Sequence, residues 1–96
     1  MPDLTKNEAI IAALESAGYQ EIRLTVVPKR FLFSDGRCHT ELEFSRNYFE
    51  DTTLDTLQRL MREQVLPAIK QQLGKKVYVN AHGISILPRT HGRGES

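Results

Sequence analysis

His39, Glu41 and Glu43 stand at alternate positions, and alternate residues of a β-strand project from one face. An imidazole and two carboxylates so placed are donors that a divalent cation accepts. Arg30 and Arg37 belong to the same predicted hairpin, and a polar strand face that carries its own counter-charges needs no ion, so no metal site is expected here. Cys38 beside His39 has the composition of an activated thiol, but neighbouring strand side chains point to opposite faces and the two cannot meet. Cys38 is the only cysteine. It reads as a small buried core residue, leaves no internal disulfide or multi-cysteine zinc site, and fits a reducing, cytoplasmic compartment.

The remaining ingredients of reactive sites are missing. None of the five serines lies in a nucleophile elbow, and there is no glycine-rich phosphate loop, paired-histidine zinc helix or calcium loop. His82 falls at a turn and His91 in a tail without apolar residues. Neither catalysis nor a cofactor is expected.

The formal net charge of +1 hides an asymmetry: residues 1–55 hold six Lys/Arg against ten Asp/Glu, and residues 56–96 hold seven against two. A basic C-terminal surface of Lys70, Lys75, Lys76, Arg89 and Arg93 is the nucleic-acid alternative. A plainer account places Glu50, Asp51 and Asp55 at the start of a long helix and Lys70, Lys75 and Lys76 at its end, where they complement the helix dipole. The motifs of nucleic-acid modules are not met: Gly74-Lys75-Lys76-Val77 lacks the second glycine of a GxxG clamp, and Val77-Tyr78-Val79-Asn80 offers one aromatic on a late strand. No apolar run approaches a membrane span, and Met1 to Lys6 lacks the basic and apolar regions of a secretory signal.

The elements follow from capping and periodicity. Thr5-Lys6-Asn7-Glu8 has capping-box spacing; Ile10, Ala13, Leu14 and Ala17 form an apolar stripe that Gly18 ends. Ile22, Leu24 and Val26 alternate with polar residues as a strand. Asp35-Gly36 marks a hairpin turn, pairing Phe33 with Cys38 and Phe31 with Thr40, so that Phe31, Phe33, Leu42 and Phe44 share a core face. Core parity changes between Val27 and Arg30, which requires either a bulge near Pro28, the favoured device, or a tight turn there. After a loop over residues 45–52, Leu54, Leu57, Met61, Val65 and Ala68 line a second helix capped by Thr52 or Thr53. It should kink at Pro67, continue through Ile69 and Leu73, and stop at Gly74. Lys76 to Asn80 and Ile84 to Leu87 form a last hairpin around Ala81-His82-Gly83.

The expectation is one α+β domain over residues 1–88 with a disordered basic tail over 89–96. Its order is α-β-β-(β)-α-β-β, an antiparallel sheet of four to five strands with two helices on one face. The three-residue loop would put Tyr78, Ile84 and Ile86 on one side of the last hairpin and Val77, Val79 and Leu87 on the other. Two helices on one face cover a single set. Tyr78, Ile84 and Ile86, joined by Leu66, which falls off the second helix's stripe, are therefore candidate protein-interface residues. The function expected is a non-catalytic protein-interaction module: a homo-oligomer, an adaptor, or a small phage-type accessory or inhibitor protein.

Overall fold

The computed structural model describes residues 5–26 and 28–88; the expected tail, with Arg89 and Arg93, lies outside them. The first helix, α1 (Lys6–Ser16), opens on a closed capping box: Thr5 Oγ1 accepts from the Glu8 N–H at 3.1 Å, and the Glu8 carboxylate accepts from the Thr5 N–H at 3.0 Å. It ends at Gly18, whose φ of +97° is the left-handed turn glycine permits. The Gly18 N–H donates to the Glu15 carbonyl and the Tyr19 N–H to the Leu14 carbonyl, both at 3.0 Å, the bond pair of a Schellman end. The chain thereby folds Tyr19 back into the core, where its ring meets Phe33 edge-on at 5.0 Å. Burial, with help from the nearby Asp35 and Cys38, raises the Tyr19 hydroxyl above its usual pKa.

Three antiparallel strands follow: β1 (Gln20–Thr25), β2 (Lys29–Ser34) and β3 (His39–Phe44). At Pro28 the favoured bulge is replaced by a reversal, since Thr25 pairs with Arg30 and Leu24 with Phe31. Proline, which donates no N–H, is suited to that connection. The irregularity of β1 lies at its other end, between Gln20 and Arg23, where Glu21 adopts φ +55°. The β2–β3 connection is also longer than a two-residue turn: Ser34 pairs with His39 and Phe33 with Thr40. Asp35 Oδ1 accepts the N–H groups of Arg37 and Cys38, and Ser34 Oγ accepts that of Gly36, so local side-chain bonds stabilise the wider loop. A register displaced by two residues preserves every face. Phe31, Phe33, Leu42 and Phe44 are accordingly buried, while Cys38 is half-buried rather than in the core.

Residues 45–52, expected as a loop, contain a short helix, α2 (Arg46–Asp51). Phe49 buries beneath it, edge-on to Phe44, and the Lys6 ammonium donates to the carbonyls of Phe49 and Glu50 near its C-terminal end. Lys29 Nζ lies 4.9 Å from the Phe49 ring centroid and donates to Asn7 Oδ1; burial lowers its pKa. Glu50 and Asp51 thus close α2 instead of opening the long helix.

The second long helix comprises α3 (Leu54–Leu60), a π turn (Met61–Val65) and α4 (Leu66–Gln71), with Thr53 as the N-cap. Leu57, Met61, Val65 and Ile69 are all buried. A strict spacing of four drifts about 40° per step around a helix of 3.6 residues per turn, and a wider turn counters that drift. The Leu66 N–H donates to the Met61 carbonyl, five residues back. The disruption expected at Pro67 is therefore taken up in the preceding turn. Pro67 itself follows the π turn inside this continuous run, where its missing N–H leaves one helical bond unmade. Leu73, expected to continue the apolar contact, is 37% exposed.

Gly74, at φ +85°, ends this segment before β4 (Lys76–Asn80) and β5 (Gly83–Leu87). The sheet has five strands in the order β1-β2-β3-β4-β5. It is mixed rather than antiparallel, because β4 runs parallel to β3. The intervening helical run carries the chain back to the starting end of β3, and such a crossover returns a strand in the same direction. Three helical segments, α1, α2 and α3–π–α4, replace the two expected. Ile10 and Leu14 of α1, Phe49 of α2, and Leu57, Met61, Val65 and Ile69 of the long run form one cluster with Phe31, Phe33, Leu42, Phe44, Val77 and Val79.

Candidate functional site

The sheet's face away from this cluster carries His39, Glu41 and Glu43, each beside a side chain of opposite charge type. Arg30 Nε lies 3.1 Å from Glu41 Oε2, and Lys76 Nζ lies 2.6 Å from Glu43 Oε1 and 3.8 Å from Glu41 Oε2. His39 is 3.7 Å from Glu21. Cys38 lies just before β3 in the loop, its N–H donating to Asp35 Oδ1, and His39 is the first residue of the strand. Among the described residues, no group of three or more His, Cys, Asp or Glu side chains is arranged to hold a metal ion. No helix among them is long and apolar enough to cross a membrane.

The proposed protein-interface residues separate into three places. The last hairpin turns through Ala81-His82 alone, with Asn80 paired to Gly83 and the His82 N–H donating to Asn80 Oδ1 at 2.8 Å. The side-chain bond draws the turn tight, and Gly83, at φ +126°, joins the ladder instead of the loop. This one-residue difference exchanges the faces of β5. Ile84 and Ile86 lie opposite Val79 and Val77 on the helix side, whereas Tyr78 lies opposite Ser85, and Leu87 opposite Lys76, on the outer side. Most of the hairpin's apolar residues therefore share one face. Leu66 is on the helices, half-buried and packed against the core.

Leu66 borders two shallow adjoining grooves of about 500 and 680 Å³ between α1 and the π turn with α4. Both share Ala17 and Arg62, and the second also reaches Asp35 and Lys70. Of the basic candidates, Lys70 and Lys75 are exposed, and Lys76 is committed to Glu41 and Glu43.

The sequence pattern did not single out the contrast between the sheet's two edges. The helices leave the helix-side residues of both edge strands partly open: Leu24 on β1 is 36% exposed and Ile86 on β5 is 37% exposed, although Val77 beside it is buried. β1 carries Glu21, Arg23 and an irregular register, features that discourage another strand from pairing. β5, Gly83-Ile84-Ser85-Ile86-Leu87, has no charge and no proline, and its ladder with β4 is regular throughout. Leu87 is 40% exposed on its outer side. An uncharged, β-prone edge with apolar residues on both faces can accept a further strand through its main chain. Comparison with protein-family models, with curated proteins and with solved structures finds no match to this chain.

Proposed function

We propose that the chain is a non-catalytic protein-interaction module that engages its partner along the β5 edge. The observation that carries this reading is the unequal treatment of the two edges, with β1 interrupted and charged and β5 regular and uncharged. Main-chain groups along such an edge supply affinity, and Ile86 and Leu87 supply an apolar contact on either side. The nucleic-acid alternative is less favoured, because Lys76 already neutralises two carboxylates and a cation so engaged gains less from a phosphate.

A photo-reactive amino acid placed at Leu87 or at Leu24, in cells that produce the full chain, tests the reading. Protein adducts are expected from position 87 and not from 24. Equal capture at both edges, or none at 87, would overturn it.

A further inference from the structure

We infer that the partner on the β5 edge is a second copy of this chain, paired antiparallel about a twofold axis at Ser85 to give a continuous ten-stranded sheet. The inference rests on the interaction-module reading and specifies its partner.

The register follows from the turn. A two-residue connection requires its closing pair, Asn80 and Gly83, to be the hydrogen-bonded kind, and bonded and non-bonded pairs alternate along an antiparallel ladder. Tyr78–Ser85 and Lys76–Leu87 are then bonded pairs, and Val79–Ile84 and Val77–Ile86 are not. The main-chain N–H and C=O groups of Ile84 and Ile86 consequently point away from β4, toward an incoming strand. Such a strand must present outward groups of its own to meet them, which excludes any register pairing Ile84 with a Ser85.

Of the registers left to two identical strands, one satisfies all four outward groups: Ile84 of each copy opposite Ile86 of the other. Ser85 then faces its own symmetry mate, and Gly83 faces Leu87. The Ile-Ser-Ile order is palindromic about that axis, so the isoleucines from both copies form one apolar row on the helix side. Pro88 has no N–H with which to extend the pairing, which confines it to β5. No charged side chain of β5 opposes its mate. Five residues per copy make a short interface, so assembly depends on concentration.

Ser85 provides the test. Its side chain is on the outer, exposed side, where Ser85→Lys and Ser85→Glu alter no core contact, and circular dichroism verifies folding. In a twofold pair each variant sets like charges directly opposite. Sedimentation equilibrium on the full chain should show a wild-type monomer–dimer equilibrium and self-association weakened about tenfold or more in each variant. An equimolar mixture of the two should dimerise again. Should either charge unfold the chain, the Cys38→Ser/Ser85→Cys protein substitutes for it: oxidation should link it into a disulfide dimer, since facing non-bonded residues come closest, while Cys38→Ser/Leu87→Cys should not link.

A wild-type chain monomeric up to its solubility limit would overturn the twofold pairing, and the cross-linking comparison of Leu87 with Leu24 would still decide whether the edge serves another protein. Dimers insensitive to both charges, a mixture that fails to recover, or equal linking at positions 85 and 87 would each overturn the Ser85-centred register.

Discussion

Replacing Thr40 with valine removes one hydroxyl and separates two accounts of what holds β4 beside β3. Thr40 is 1% exposed on the helix-side face of β3, opposite Phe33, and its Oγ1 accepts the Gly74 N–H at 2.9 Å. The bond fastens β3 to the turn that delivers the chain from α4 into β4. Leaving that part-buried donor unpaired costs about 1–3 kcal/mol. Exchanging hydroxyl for methyl returns about 0.8 kcal/mol of apolar burial. The net expectation for Thr40→Val is a loss of about 1 kcal/mol, or a fall in Tm of about 4–8 °C for a domain of this size.

Thr40→Ser keeps the acceptor and gives up a methyl, so it should preserve the slow exchange of the Gly74 amide that Thr40→Val accelerates. Thermal unfolding with residue-resolved hydrogen exchange reads both quantities. If Thr40→Val is as stable as wild type or more so, Thr40 contributes packing alone. The link between β3 and the crossover must then be sought in the main-chain bonds from Glu41 N–H to the Lys75 carbonyl and from Ser45 N–H to the Val79 carbonyl.

Truncating the fully buried Phe33 to alanine should cost about 3–5 kcal/mol in urea unfolding, and a loss under about 1 kcal/mol would place the ring outside the core. Main-chain donation from Cys38 and then Arg37 lowers the Asp35 pKa below 3.8. Its stabilising contribution is therefore present above 3.8 and lost as pH falls through the lower folded-state value. Asp35→Asn should be less stable than wild type near neutral pH, with the gap in urea midpoint closing in acid; a gap independent of pH would show that the charge does not stabilise the loop.

Features decided within a few residues of chain were legible in the sequence. Thr5 and Glu8 close the expected box, Gly18 ends α1, and Phe31, Phe33, Leu42 and Phe44 share the expected face although their hairpin is offset by two residues. Features that depend on long connections or turn geometry were not. The run from Ser45 to Lys75 between β3 and β4 has crossover length, but antiparallel hairpins elsewhere made the same arrangement look natural here. In α2 the apolar residues Tyr48 and Phe49 are adjacent, which shows no helical period, and Ser45 makes no side-chain cap bond. For the candidate site, Ile84 and Ile86 belong to the proposed edge, but Tyr78 does not share their face. The Asn80 side chain shortened the loop by one residue, and in a strand that shift reverses every face.

The parallel seam also explains how β5 can remain an edge in a fixed position. β5 pairs only with β4, so its placement depends on the register of β4 against β3, where Glu41 faces Lys76 and Leu42 faces Val77. A slip of one residue would carry Lys76 into the apolar layer and Val77 and Val79 out of it. It would also detach Lys76 from Glu41 and Glu43, whose side chains are only 12% and 15% exposed and would lose a counter-charge in a poorly hydrated place. The ion pairs and the buried valines therefore penalise the same displacement from opposite faces of one strand. With β4 held in register and β1 at the far side of the sheet, no described strand remains to cover β5, and its outward groups are left for water or for another chain.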